Sequence, residues 1–187
     1  MSVILSRPRY SAPRRWLHWG MFALVLLAYV CINVFDLFPK GTAVRANILA
    51  AHFVAGIAVL LLVLPRLMLR VRHVAPPITP PLAQATALMS KLTHLALYLF
   101  LLLQPLLGVI TLQVGGKAVT LFGVTLLPAL FGPGNHALAH QLEDIHGTIG
   151  TVFYYVIGLH ILAGLWHHFV RHDDTLQRMT GEAELAR

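Results

Sequence analysis

Four long apolar runs constrain the fold of this chain more than any other feature of its sequence. They cover about residues 16–35, 44–68, 92–112 and 145–170. Each run is near or above the roughly 20 residues that a helix needs to cross a bilayer. Charged residues make up only 11% of the chain, against about a quarter of an ordinary soluble domain. We therefore expect a single all-α domain over residues 1–187, a transmembrane four-helix bundle.

The lysine and arginine residues predict which way the runs cross the membrane. Eleven of the 14 fall on one side of the expected bundle, namely Arg7, Arg9, Arg14, Arg15, Arg66, Arg70, Arg72, Lys91, Arg171, Arg178 and Arg187. The other side holds Lys40, Arg45 and Lys117. Because cytoplasmic segments carry the excess of positive charge, we expect both termini, including the tail 171–187, in the cytoplasm. This clustering at the ends of apolar runs argues against a nucleic-acid partner, despite the net charge of +7.

Two connecting segments differ in length and composition. The stretch PPITPP between the second and third runs predicts a stiff loop. Residues 113–144 form a longer outer loop, in which Gly123 and Pro128 interrupt the apolar stretch 119–131. We expect that stretch to lie on the membrane surface as a loop or a short interfacial helix, and a fifth span is not expected.

Polar residues outside the runs are expected to contact water. The segment RHDDTLQRMTGE after the fourth run is interpreted as a solvated tail, in which Asp173 or Asp174 could begin a short helix. Four further histidines are interpreted as loop or surface residues: His73, His136, His140 and His172.

Histidine side chains recur at two depths of the expected bundle. His18 lies early in the first run, near the cytoplasmic side, and His52 lies early in the second, near the outer side. On the fourth run, His160 follows His146 by 14 residues, or about 21 Å along a helix axis. A step of that length returns to within about 40° of its starting direction, so the two side chains share a face. We expect His52 to pair with His146 outside, and His18 with His160 inside.

Two histidines that face each other inside an apolar bundle suit a b-type haem, whose iron takes an axial imidazole on each side. Two such levels predict two haems, and three glycines four residues after a histidine would let the macrocycle approach the backbone: Gly56, Gly150 and Gly164. No CxxCH motif occurs, which excludes c-type attachment. Zinc or copper is disfavoured, because no carboxylate or thiolate completes either pair. Hydrogen bonding between helices is the alternative role for these histidines.

Five stretches carry a family resemblance: RWLHWGMFALVLLAYV, AAHFVAGIAVLLLVLPRLMLR, PPITPP, THLALYLFLLLQPLLGVI and IHGTIGTVFYYVIGLHILAGLWHHFVRHDDTLQRM. They are similar to the bacterial cytochrome b561 family of four-helix dihaem membrane proteins. The resemblance covers roughly residues 10–180, and the last stretch is its most specific part. It implies haem ligands on helices one, two and four, which fall here on His18, His52, His146 and His160.

Further polar side chains lie near the expected cytoplasmic pair. His167 follows His160 by seven residues on nearly the same face, and His94 begins the third run. We hypothesise that His167, supported by His94, borders a quinone site, because a histidine can donate to a quinone carbonyl and titrate near neutral pH. Contact with lipid headgroups or haem propionate is the alternative. Arg14 and Arg15 either pair with haem propionates or anchor the span at the membrane surface.

These observations predict a dihaem b-type cytochrome of the bacterial inner membrane that transfers electrons between the outer face and the quinone pool. Some members of the resembled family oxidise superoxide and reduce ubiquinone, so an oxidoreductase of this kind is implied. Superoxide or a periplasmic redox partner is then the candidate donor. The charges of the outer loops sum to about zero, which neither supports nor excludes an anionic donor. Two alternatives lack haem: a small transporter or proton conduit with histidine relays, and a structural membrane subunit.

Overall fold

Four long helices make up most of the computed structural model, which describes residues 9–180. They are α1 (Ala12–Val34), α2 (Ala43–Arg72), α3 (Gln84–Val114) and α4 (His136–Phe169). Each is long and apolar enough to cross a membrane, so the expected all-α four-helix membrane fold is confirmed. The side of the membrane on which the termini lie stays a prediction. Two arginines counted for it, Arg7 and Arg187, lie outside the described residues.

The helices begin and end at local signals in the sequence. The side chain of Thr42 caps α2 by accepting a hydrogen bond from the Arg45 amide, and Asn135 caps α4 through the Leu138 amide. Both α3 and α4 start about two turns before the corresponding apolar runs. Their first turns carry polar residues that a search for apolar runs leaves out, including the exposed His136.

The stretch 119–131 contains a β-hairpin, where a loop on the membrane surface or a short interfacial helix was expected; the helix is wrong. Antiparallel strands β1 (Val119–Leu121) and β2 (Val124–Leu127) are joined by Phe122 and Gly123. Both turn residues have positive φ, +49° and +84°, as a two-residue hairpin turn requires. Val119 is buried against residues of α2 and α3. This packing favours strands over a helix lying flat on the membrane.

The segment after α4 folds back onto the bundle, so the prediction of a solvated tail is also wrong. Asp173, Asp174 and Arg178 are at most 3% exposed. Arg178 pairs with Asp174 at 3.4 Å and donates to the carbonyl of Pro76. The indole N–H of Trp19 donates to a carbonyl of the short helix α5 (Gln177–Thr180) at 3.0 Å. The charges leave water because they find partners in α4, in the loop before α3 and in each other.

The bundle has two ends that differ in chemistry. We name the end with Arg15, Arg66, Arg171 and Arg178 the basic end, and the end with β1 and β2 the hairpin end. α1 packs mainly on α2, α2 on α3, and α3 on α4. Large apolar side chains cover the outward faces of all four helices, as contact with lipid requires. None of the most apolar stretch of α4 is buried.

Candidate functional site

The structure brings the four histidines singled out in the sequence together as two pairs. The ring centroids of His18 and His160 are 6.3 Å apart, and those of His52 and His146 are 6.2 Å apart. An imidazole nitrogen binds a transition metal at about 2 Å and lies about 1.1 Å from its ring centroid. Two imidazoles on opposite sides of one metal therefore place their centroids about 6.2 Å apart. Both pairs fit a metal held between two histidines.

At the hairpin end, neighbouring groups orient the ring of His52. Its Nδ1 lies 2.9 Å from the carbonyl oxygen of Ala28. Because a carbonyl only accepts, Nδ1 carries the proton and donates it. The lone pair of Nε2 is then free for a metal, which is the usual arrangement of a ligand histidine.

The partner ring, His146, has unsatisfied hydrogen-bonding capacity inside the bundle. Its Nδ1 is buried and has no hydrogen-bond partner among residues 9–180. Its backbone carbonyl accepts a hydrogen bond of 2.7 Å from the side-chain amide of Gln104 on α3. A buried polar atom without a partner is rare and calls for an explanation. A bound group that contacts Nδ1 would provide one for His146, whereas a metal at Nε2 alone would not.

A cavity of about 310 Å³ opens beside the His52–His146 pair. Its walls come from all four helices and include three glycines, Gly56, Gly147 and Gly150. Mostly apolar walls with a few polar groups are typical of cofactor pockets, whose volumes start at about 300 Å³. The glycines leave room for a flat ligand close to the backbone. Of the three glycines expected to do this, Gly56 and Gly150 line the cavity, and Gly164 does not.

Gly108 on α3 also shapes this level, although it was not among the site residues predicted from the sequence. A Cβ at this position would lie 3.1 Å from Cε1 of His146 and 3.6 Å from its Nδ1. The shorter distance is tighter than ordinary van der Waals contact, so a side chain here would push the ring away. The only indication in the sequence was a glycine one turn after Gln104 in an apolar helix. Small residues in membrane helices also occur where two helices simply pack closely, so this pattern is not specific.

The His18–His160 pair lies among basic side chains. Arg66 on α2 donates from Nη2 to Nδ1 of His18 at 2.9 Å. The ring centroids of His94 and His160 are 5.6 Å apart. Nδ1 of His94 donates to the Ser90 carbonyl at 2.6 Å. From the sequence, Arg66 was used only as one of the positive charges that predict which side of the membrane is cytoplasmic. Its role at this level was missed because it is remote from His18 in the chain.

Arg14 and Arg15 contact Tyr10 instead of the histidine pair. Arg15 donates to the Tyr10 carbonyl at 2.8 Å, and the guanidinium of Arg14 lies 4.6 Å from the Tyr10 ring centroid. Their pairing with a propionate therefore stays a prediction. Either role keeps both arginines at the basic end.

His167 is buried against the folded-back tail. Its Nδ1 lies 2.5 Å from a carboxylate oxygen of Asp173, whose side chain is fully buried. Burial alone would raise the pKa of Asp173, but hydrogen bonds from His167 and Thr175 hold that pKa below its ordinary value. Arg171 lies 3.2 Å from the same carboxylate oxygen. Across residues 9–180, no hydrogen bond or ring contact joins His167 to His94.

The ligand chemistry at the two pairs differs from that of a zinc or copper site. Within the described part of the chain, no group of three or more His, Cys, Asp or Glu residues is arranged to hold a metal ion. A metal that needs only two protein ligands fits the pairs, and a haem iron is such a metal because the porphyrin fills its other positions. The residues at the hairpin end therefore fit a b-type haem, and the His18–His160 pair has the same centroid spacing.

Known proteins resemble this chain over nearly its whole length. The sequence profile of the prokaryotic cytochrome b561 family matches residues 9–182, which confirms the resemblance noted in the sequence. The chain is 32% identical over 171 residues to cytochrome b561 homolog 1 of Escherichia coli K12, covering 91% of this chain and 96% of that protein. It is equally identical, 32% over 171 residues, to the probable superoxide oxidase CybB of Yersinia pestis, with 91% and 95% covered. Cytochrome b561 homolog 2 of Escherichia coli K12 is 30% identical over 191 residues, with 98% and 97% covered.

Proposed function

The chain belongs to the prokaryotic cytochrome b561 family, and on that premise we propose that it is a dihaem cytochrome that passes electrons to quinone. Family membership and four apolar helices make it a multi-pass membrane cytochrome of electron transfer with b-type haem. The finer proposal is that His18 with His160 holds one haem and His52 with His146 holds a second. By the excess of positive charge, the basic end lies in the cytoplasm of a bacterium and the hairpin end lies outside.

The observation that carries this proposal is the repeated separation of the paired rings. Two unrelated pairs of histidines, at opposite halves of the bundle, have centroids 6.3 Å and 6.2 Å apart. Both spacings match that of two imidazoles that bind one metal, and the match recurs at the two levels. When bound, haem supplies one-electron redox chemistry. The chain's part is to orient the rings, as the Ala28 carbonyl does for His52, and to keep water out of the apolar slot.

The quinone site is proposed at the basic end, beside His167. Quinone reduction consumes protons as well as electrons, so a side chain that donates a proton is needed near the acceptor. Asp173 accepts a hydrogen bond from Nδ1 of His167 at 2.5 Å, so His167 can donate from Nε2 to a quinone carbonyl only when both of its nitrogens carry protons. Nδ1 of His94 donates to the Ser90 carbonyl, so the Nε2 of its neutral ring is an acceptor. We place His167 as the proton donor, Asp173 as its positioning residue and His94 in support.

Superoxide is the proposed donor at the hairpin end. A relative is named a probable superoxide oxidase, and that name supports the same donor here. Arg45 pairs with Asp36 at 2.6 Å, and His140 lies 3.2 Å from Asp144. The Arg45–Asp36 pair neutralises local charge, so attraction of an anion over long distances contributes little. Selection of the donor would then rest on how closely it approaches the haem at the hairpin end.

A histidine proton relay fits the structure less well. Between the two histidine levels, the rings of Phe100 and Phe153 stack with centroids 4.1 Å apart. A relay needs a continuous chain of polar groups or water. An apolar stack at this depth interrupts such a path while leaving electron transfer between haems unaffected.

The test is to purify the full-length protein and to measure haem, protein and absorbance spectrum together. We expect about two haems per chain and the spectrum of low-spin iron with two axial imidazoles. In a stopped-flow instrument, superoxide should reduce the oxidised pigment, and added ubiquinone should reoxidise it. A colourless pure protein would leave only the transporter and structural alternatives. Pigment that quinol reduces but superoxide does not would remove the proposed donor alone.

Replacement of Gly108 by valine is expected to remove the haem at the hairpin end. The new side chain would collide with His146, whose Cε1 lies 3.1 Å from the Cβ position. The haem content should fall from about two toward about one per chain, because the basic-end pair is untouched. The matched control is Gly20→Val, since a Cβ at that helical glycine meets nothing within 4 Å. Equal haem contents in the two variants would show that Gly108 does not make room for the ligand.

A further inference from the structure

Among the described residues 9–180, Arg66 enters the basic half of the bundle without an anion to neutralise it. Its Nη2 donates to Nδ1 of His18, and its Nε is buried without a hydrogen-bond partner. The guanidinium carbon lies 5.7 Å from the centroid of the Tyr98 ring. Within residues 9–180, Arg66 has no carboxylate at ion-pair distance. An unpaired cation inside a membrane domain is costly, so an anionic partner is to be expected.

The hydrogen bond from Arg66 selects a tautomer of His18 that cannot bind a metal through Nε2. Arginine has donors and no acceptor, so Nδ1 of His18 must accept and the neutral ring carries its proton on Nε2. A ligand nitrogen has to be free of its proton. At the other level, the Nδ1 proton of His52 goes to a carbonyl and Nε2 is free. Arg66 and a haem iron thus require opposite tautomers of His18.

We propose that Arg66 binds a propionate carboxylate of the basic-end haem and releases His18 in doing so. This inference rests on the proposed dihaem function. The propionates are the carboxylates at the edge of a haem, and a guanidinium matches a carboxylate with two parallel hydrogen bonds. The exchange would satisfy the buried Nε and return His18 to the tautomer that binds metal. Arg15, a candidate from the sequence, already donates to the Tyr10 carbonyl.

The chain offers a matched control on the same helix. Arg70 lies one turn after Arg66, and its guanidinium is 4.8 Å from the same Tyr98 ring. Arg70 is exposed, and it forms no hydrogen bond with His18. Both substitutions, Arg66→Gln and Arg70→Gln, therefore remove a positive charge near Tyr98. Only the first removes a donor next to a proposed haem ligand.

The experiment measures release of haem from the full-length holoprotein to an excess of apomyoglobin. Arg66→Gln should speed the release of one of the two haems about tenfold, the loss expected for a hydrogen bond between charged groups. Arg70→Gln should leave both rates unchanged. The midpoint potential of the same haem should fall in Arg66→Gln, because a lost cation favours the ferric state. Arg66→Lys keeps the charge and should recover part of both effects, which a purely structural role would not explain.

Three results would overturn the assignment. Equal release rates and potentials in Arg66→Gln and Arg70→Gln would show that Arg66 holds no propionate. An effect of Arg66→Gln that appears in nanodiscs with phosphatidylglycerol and vanishes without it would assign Arg66 to a lipid phosphate. A wild-type protein without haem would remove the proposed function together with this inference. If the wild-type protein binds two haems and Arg66→Gln changes neither the haem release rate nor the midpoint potential, only this inference is removed.

Discussion

His160→Ala is expected to lower the haem content of the purified protein from about two per chain to about one. The substitution removes one of two axial ligands at the basic end, and the iron would keep a single imidazole in an apolar slot. His146→Ala should cause the same numerical loss at the hairpin end. The two variants should lose different components of the redox titration, because their ligand pairs lie at different levels of the bundle.

Double variants separate the ligand pairs. His18→Ala with His160→Ala should lose no more haem than either change alone, because both residues serve one haem. His146→Ala with His160→Ala should lose both haems. His168→Ala is the control, since this histidine is on the same helix and its ring packs against Phe169. A full complement of low-spin pigment in His160→Ala or His146→Ala would contradict the paired-ligand arrangement.

The four-helix fold could be predicted because a bilayer permits few alternatives. A chain that crosses a membrane must satisfy its backbone hydrogen bonds internally, so a long apolar run is a helix. Depth then follows from position in the run, and direction follows from the helical period. These two quantities paired His18 with His160 and His52 with His146, and the structure brings the same residues together. Proximity of residues far apart in the chain follows here from the common axis that the membrane supplies, and the role of these histidines as haem ligands stays a prediction.

The hairpin and the tail could not be predicted, because their structure depends on contacts with remote residues. Val119 forms a strand residue only because Ala50 and Leu112 provide an apolar surface for it. Asp174 is buried because the Thr79 amide donates to it at 3.2 Å and Arg178 pairs with it. In the sequence, the same residues follow the patterns of an irregular loop and of a solvated tail. Local composition shows how polar a segment is. It does not show whether remote residues provide an apolar surface, hydrogen bonds or ion pairs for that segment.

The missed site residues have a similar cause. Gly108 matters through a contact of its Cβ position with His146 on another helix. Arg66 matters through a hydrogen bond to His18, 48 positions earlier in the chain. Glycine and arginine are common in membrane helices and at their ends for unrelated reasons, so neither residue type carries a distinctive signal. Histidine is the exception. Placing its polar side chain inside a membrane span costs free energy, so a histidine there indicates a functional site.

The second large effect is expected at His167. His167→Ala should slow quinone reduction by about 100-fold while both haems remain, because a positioned acid typically contributes at least that factor. The measurement is reoxidation of prereduced pigment by ubiquinone, with haem content determined on the same sample. His172→Ala is the control, since that histidine is exposed just beyond the helix. Quinone reduction at the wild-type rate in His167→Ala with two haems bound would remove the assignment.

Asp173→Asn tests whether the carboxylate positions His167 or only fills space. Hydrogen bonds hold the pKa of Asp173 below its ordinary value despite burial. Its contribution to stability is therefore complete above about pH 4, the ordinary pKa of an aspartate, and is lost as the pH falls through the lower pKa of the folded state. The carboxylate stays charged across the range in which quinone reduction is measured, so Asp173→Asn should slow the reaction throughout the interval from about pH 5 to pH 8. A purely structural role would instead lower the unfolding temperature and leave the rate per folded molecule unchanged, because the proton donor itself would be intact.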